Sequence, residues 1–206
     1  DAALNALGAS CPNIRMIALS DCRSITSFGL SAFANCPGLE VVRLAGCKAI
    51  DDECLLKLSI GCPHVMELDL AHCSTLSPKM LSQALKSWPR LLTLNLRGYT
   101  PLRRLNPANN AAVEDLPHVI IKHPNLEDLN LSWCKFVDDA MIAEMADGTS
   151  NLTTLDLGWC TSITANAFHR LAQKCRNLRT LNLRGCTKVG PLSVQYLSAA
   201  SVVVYR

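Results

Sequence analysis

Three stretches of the chain repeat one another. CRNLRTLNLRGCTKV (175–189), TSNLTTLDLGWCTSI (149–163) and HPNLEDLNLSWCKFV (123–137) share one skeleton at a spacing of 26 residues. Each has leucines at its fourth, seventh and ninth positions, a cysteine at its twelfth and an aliphatic residue at its fifteenth. A unit this short cannot bury its apolar face alone, so it must stack on its neighbours. The pattern therefore predicts a single solenoid over residues 1–206 rather than one or two compact domains.

Seven aliphatic trios set the strand phases: Ile14-Ile17-Leu19, Leu39-Val42-Leu44, Val65-Leu68-Leu70, Leu91-Leu94-Leu96, Leu126-Leu129-Leu131, Leu152-Leu155-Leu157 and Leu178-Leu181-Leu183. The last two members of each trio alternate as in a strand with one buried face. A polar turn follows, and then the cysteine and its aliphatic partner lead the backbone back into the core. The second half of each unit has helical spacing, as in Cys54, Leu55 and Leu58 or Phe168 and Leu171. Asp51 or Asp52, Asp138 and Thr164 are placed to cap helix starts. Pro12, Pro37, Pro63, Pro89 and Pro124 stop the helix before the next strand. Both ends read as mid-repeat, as in a segment of a longer solenoid. Asp1 to Ser10 match the second half of a unit, and a 26-residue step puts Val204 where a strand's first leucine belongs.

One unit breaks the period. Trp88 and His123, at the same phase, are 35 residues apart rather than 26. The excess falls in 98–110, GYTPLRRLNPANN, where proline and asparagine predict an irregular loop. Insertions in solenoids map to one edge, often the binding edge. Here the insertion brings Tyr99 in place of a cysteine, with Arg103 and Arg104 close behind.

Ten of the eleven cysteines, all but Cys54, fall at two phases of the repeat. Such columns suit a small buried hydrophobe with a weak donor. The odd total favours reduced thiols, and with them a cytoplasmic or nuclear location. No CxxC pair or Cys/His cluster supports a metal site. The expectation is eleven free, mostly buried thiols and no cofactor.

The remaining chemistry is sparse. The formal charge is +3, from 20 basic and 17 acidic residues, too small an excess to suggest nucleic acid as a partner. No run approaches the ~18 apolar residues of a membrane span. The five histidines are scattered over different phases, and no phosphate loop, HExxH or matched nucleophile and base is present. An enzyme is not expected.

The surfaces carry more information. Residues between the leucines face outward by period two. Their columns, Met16 to Thr180, Ala18 to Asn182 and Ser20 to Arg184, hold four acidic and three basic side chains. A mixed face of this kind suits a protein partner on the concave surface or at the loop edge. Trp133 and Trp159 occupy the same phase of consecutive units, a phase that holds Gly46, His72, Gly98 and Gly185 elsewhere, so they should stand side by side. Aromatic side chains with a polar nitrogen favour interface hot spots. The candidate partner-binding set is Tyr99, Arg103, Arg104, Asn130, Trp133, Asp156 and Trp159.

CPNIRMIALSDCRSITSFGL (11–30), CPGLEVVRLAGCKAIDDECL (36–55) and CRNLRTLNLRGCTKVGPLSV (175–194) resemble the cysteine-containing leucine-rich repeats of F-box/leucine-rich-repeat ubiquitin-ligase receptors. They are also similar to the mitotic-exit antagonist family. The resemblance covers essentially the whole chain. It departs from the pattern at Trp88, His123 and Thr149 in the first cysteine phase and at Tyr99 in the second. It implies an α/β leucine-rich-repeat solenoid, a right-handed superhelix with a parallel concave sheet and convex helices. It also implies substrate recognition in a ubiquitin ligase or a related cell-cycle regulator. The ligase adaptor would be bound by an F-box in a part preceding these repeats. A structural subunit of a cytoskeletal or organellar assembly is the alternative.

Overall fold

A computed structural model describes residues 1–100, 120, 123–190, 194–195 and 202–206. Each trio produces a strand of three residues: β1 Met16–Ala18, β2 Val41–Arg43, β3 Glu67–Asp69, β4 Thr93–Asn95, β5 Asp128–Asn130, β6 Thr154–Asp156, β7 Thr180–Asn182 and β8 Val203–Tyr205. They form one sheet in chain order, with every pair parallel. Parallel neighbours need a crossover between them, and the helical half of the unit supplies it wherever the crossover lies among the described residues. The register equates the middle residues, from Ile17↔Val42 through Leu129↔Leu155 to Leu181↔Val204.

The last strand corrects the sequence reading. The described residues contain eight strands rather than seven, and Val204 pairs with Leu181, the middle leucine, not with Leu178. That step is 23 residues (204 minus 181), three short of the period. A 26-residue extrapolation misses it because the strand register follows hydrogen bonding, not chain count.

The helices are α1 Ala2–Ser10, α2 Ser27–Leu30 continued by a 3-10 turn at Ser31–Asn35, α3 Asp52–Gly61, α4 Pro78–Lys86, α5 Asp139–Gly148 and α6 Asn166–Lys174. Asp51, Ser77 and Asp138 cap their own helices by accepting from the backbone N–H of Cys54, Met80 and Met141. Thr164 instead accepts from Asn166, with Ala165 in the cap position of α6. At the other end, the N–H of Cys11, Cys62 and Cys175 closes the final turn onto Leu7, Leu58 and Leu171. Proline after Cys11 and Cys62 then blocks continuation.

The residue after the cap position works between units. Asp52 Oδ1 accepts from the Ser77 N–H at 2.7 Å, and Asp139 Oδ1 accepts from the Thr164 N–H at 2.7 Å. Asp1 does the same for Thr26 at 2.8 Å, and the Ser27 hydroxyl accepts from the Asp51 N–H at 2.9 Å. The sequence assigned such acids to their own helix. In the structure they bind the start of the next one.

The core runs the length of the stack. Leu44, Leu70, Leu96, Leu131, Leu155 and Leu157 are wholly buried, each worth ~1.5–3 kcal/mol relative to an exposed leucine. The second-phase thiols donate backward to the preceding unit: Cys47 to the Leu19 carbonyl, Cys73 to Leu44, Cys134 to Leu96, Cys160 to Leu131 and Cys186 to Leu157, at 3.1–3.2 Å. The first phase also bonds backward, Cys62 donating to the Phe33 carbonyl at 3.2 Å. There Trp88 keeps the bond in place of cysteine, its Nε1 donating to the Cys62 carbonyl at 2.9 Å. All eleven cysteines are free. Nine are buried, but Cys11 is exposed and Cys22 partly so. These two belong to the first of the described units. Burial pushes the Cys62, Cys73, Cys134 and Cys160 thiols up to about 12.

Candidate functional site

The turn that leaves each strand is built on one backbone conformation. Asp21, Gly46, His72, Gly98, Trp133, Trp159 and Gly185, at the same phase of seven successive units, all have φ between 58° and 76°. The N–H groups of the first six continue the sheet's hydrogen bonding into the turn, Trp133 donating to the Gly158 carbonyl and Trp159 to Arg184. This left-handed region suits glycine and tolerates Asp or His. It costs a larger side chain about 1–2 kcal/mol. Tryptophan at two consecutive units is thus the one choice that works against the backbone.

The two indoles stack on each other, with ring centroids 4.7 Å apart and planes 16° from parallel. Trp159 in turn covers Gly185, whose missing Cβ leaves the space the ring occupies. Despite the stack, Trp133 and Trp159 remain 43% and 44% exposed. An aromatic pair held rigidly on a stiff turn, with much of its surface still in water, is suited to bind a partner at small entropic cost.

Beside the ridge lies the polar column Asp69, Asn95, Asn130, Asp156 and Asn182. Each side-chain oxygen accepts from the backbone N–H two residues on: Asp69 from Ala71, Asn95 from Arg97, Asn130 from Ser132, Asp156 from Gly158 and Asn182 from Arg184, at 2.8–3.1 Å. These are Asx turns. Asn130 and Asp156 are therefore only half-exposed and already engaged in setting the turn that carries each tryptophan. The sequence reading missed this role, although Asn or Asp recurring at one phase before the glycine-bearing turn is its signature.

One other candidate moves. Tyr99 is not a surface residue: it is wholly buried, its hydroxyl donates to the Leu76 carbonyl at 2.9 Å, and its ring meets Phe136 edge-on. It fills the second cysteine phase as a larger donor and is unavailable to a partner. With Gly98 it holds regular repeat positions, so the insertion begins after them. Arg103 and Arg104 lie outside the described residues. The remaining cluster is Trp133 and Trp159 on the turn edge, with Asn130 and Asp156 just inside on neighbouring strands.

Parallel strands in unbroken order, helices returning the chain in the described connections, and cysteines bonding back along the stack define a leucine-rich-repeat solenoid. The family model described as "FBD-associated F-box protein At5g56370, LRR repeats" matches residues 85–206, and the chain belongs to this family. Among solved structures, a chain of the Rad7 and Elc1 complex in yeast superposes with a TM-score of 0.69 at 16% identity, covering 87% of this chain and 44% of that one. This chain thus spans under half of that relative's length. Internalin C2 from Listeria monocytogenes superposes with a TM-score of 0.55 at 18% identity, covering 96% of this chain and 82% of that one. No curated protein matches.

Proposed function

We propose that the solenoid is a protein-recognition module that selects substrates for a ubiquitin ligase or a related cell-cycle regulator. The observation that carries the reading is the stacked, half-exposed Trp133–Trp159 pair on left-handed turns. Most phases of this ridge accept glycine, aspartate or histidine, so the repeat itself does not demand indoles. The F-box protein named in the family description supports the ligase side of the proposal. Among the described residues, no group of three or more His, Cys, Asp or Glu side chains could hold a metal ion. No helix among them is long and apolar enough to cross a membrane.

The test is capture by the full-length protein, followed by reconstituted ubiquitylation of what is captured. A partner held by the wild type, lost from a Trp133→Gly/Trp159→Gly variant and ubiquitylated only in the wild-type reaction is the expected result. A partner that depends on the tryptophans but is never ubiquitylated would make the module a scaffold. Equal capture by both proteins would remove the ridge from recognition.

A further inference from the structure

The ridge sits in a one-sided electrostatic setting. Around it, the turns from strand end to helix cap are residues 97–100, 132–138, 158–164 and 184–190. They carry the exposed cations Arg97, Lys135, Arg184 and Lys188. The one acid in these stretches is Asp138, and its carboxylate is committed to the start of α5 through the Met141 N–H. None of the four cationic side chains has an ion-pair partner among the described residues. The pairs Arg15–Glu40, Arg43–Glu67, Lys57–Glu53 and Arg170–Asp147 all lie away from this edge.

Backbone bonding places Arg97 and Arg184 in the turns flanking the two tryptophans. The Trp159 N–H donates to the carbonyl of Arg184 at 2.7 Å, so Arg184 lies on the strand next to the second ring. On the other side, Gly98 donates to the Ser132 carbonyl at 2.8 Å, which sets Arg97 one strand from Trp133. Lys135 follows Trp133 by two residues in the same turn. Between the arginines the corresponding positions are Ser132 and Gly158, both small and buried. The result is an aromatic ridge beside a shallow, small-residue floor with positive charge at both ends.

We infer that this edge binds an acidic peptide segment carrying an apolar side chain. The apolar group packs on the exposed indole surface over the Ser132–Gly158 floor, and flanking carboxylates meet Arg97 and Lys135 at one end and Arg184 and Lys188 at the other. Guanidinium groups pair with carboxylates in a bidentate geometry that fixes orientation. A nucleic acid would also find cations and stacking surfaces here. It is disfavoured because Asp128 and Asp156, on β5 and β6 just inside the ridge, would lie against its phosphates. A peptide can direct its carboxylates to the turn side alone. The inference rests on the ridge being the protein-binding surface proposed above, and it adds the chemistry of the partner.

The experiment selects a phage-displayed random dodecapeptide library on the wild-type protein. The enriched peptide is then synthesised with fluorescein and its affinity measured by anisotropy. Two variants are compared, Trp133→Gly/Trp159→Gly and Lys135→Glu/Arg184→Glu. Glycine already serves this phase in three units, so the first retains its fold, which circular dichroism checks. Enriched peptides should be net negative with at least one aromatic or large aliphatic residue. Affinity should fall about tenfold or more in each variant, and should weaken as salt rises from about 0.05 to about 0.5 M. Enriched peptides that need the tryptophans but are neutral or basic would overturn the acidic partner and leave the ridge standing. Peptides held equally by the double glycine variant would overturn the ridge itself. A fluorescent twelve-residue oligothymidylate bound through both tryptophans and both cations would overturn the peptide in favour of a nucleic acid.

Discussion

Trp159 occupies the space that a side chain on Gly185 would need: a Cβ built on that glycine falls 2.5 Å from Cδ2 of the indole. Each residue of the left-handed phase thus constrains the residue one unit later. Gly185 is required twice, by its φ of 76° and by the ring above it. Gly185→Ala should cost about 1–3 kcal/mol, and less when Trp159 is already glycine, since only the backbone penalty then remains. Trp159→Gly alone loses the buried part of the indole and an aromatic pair worth ~0.5–1.5 kcal/mol beyond that burial, offset in part by about 1–2 kcal/mol from the relaxed backbone. Urea denaturation of the two single variants and the double gives the cycle. A strictly additive double variant would show that the ring does not press on the glycine.

Adjacent residues on β6 separate packing from turn formation. Leu155 is wholly buried between Leu129 and Leu181, so Leu155→Ala should cost about 2–5 kcal/mol through lost burial and a cavity. Asp156 holds the Gly158 N–H at 2.8 Å. Asp156→Ala should cost ~1 kcal/mol, while Asp156→Asn should be nearly neutral because Asn130 and Asn182 do the same work. Denaturation midpoints of the three variants give the order. An Asn variant as weak as the Ala variant would mean that charge, not the turn bond, matters there.

The thiols should react in two classes. Cys11 and Cys22 are accessible, and the other nine are buried, several with thiol pKa values raised to about 11 or about 12. Ellman's reagent should label two groups quickly in the native protein and all eleven after denaturation. Mass spectrometry of the first-labelled peptides should return only those containing Cys11 and Cys22. Early labelling of Cys134 or Cys160 would contradict the backward thiol bonds.

His123 provides a pH dependence. Its ring is buried at the first cysteine phase, and neither nitrogen meets a hydrogen-bond partner among the described residues. Burial lowers its pKa below the ordinary 6.5, and the nearby Leu85 backbone offsets part of that. Below 6.5 the unfolded chain takes up a proton that the folded chain accepts only at lower pH. The stabilisation is therefore complete above 6.5 and is lost as pH falls toward the folded value. His123→Cys, which restores the residue this phase holds in other units, should flatten the decline in denaturation midpoint below pH 6.5. An unchanged slope would assign it to other groups.

The fold was legible because its signal is redundant. Seven trios each fix the same inward face, so no single ambiguous position could shift the register. The signal is weaker at the last strand and beside the insertion. Val204 was placed one leucine too early because spacing alone cannot show where a shortened unit loses its residues. Tyr99 was assigned to the surface because an aromatic replacing cysteine beside an insertion looks like an exposed anchor. Only the Leu76 carbonyl within reach of its hydroxyl shows that it keeps the cysteine's donor role. The adjacency of Trp133 and Trp159 could be read from phase, but their stacking could not. It depends on a positive φ that the neighbouring glycines imply and that tryptophan itself hides.

The bonds from Asp1, Ser27, Asp52 and Asp139 to the following unit all run one way along the chain. Melting of one unit frees the helix start of its successor, while its predecessor keeps every bond to its own cap. At the helix starts disorder is therefore passed forward, a grain opposite to that of the thiol bonds, which run back to the preceding unit. Asp139 carries the forward bond from the unit of Trp133 to the unit of Trp159, so the second indole inherits its order from the first.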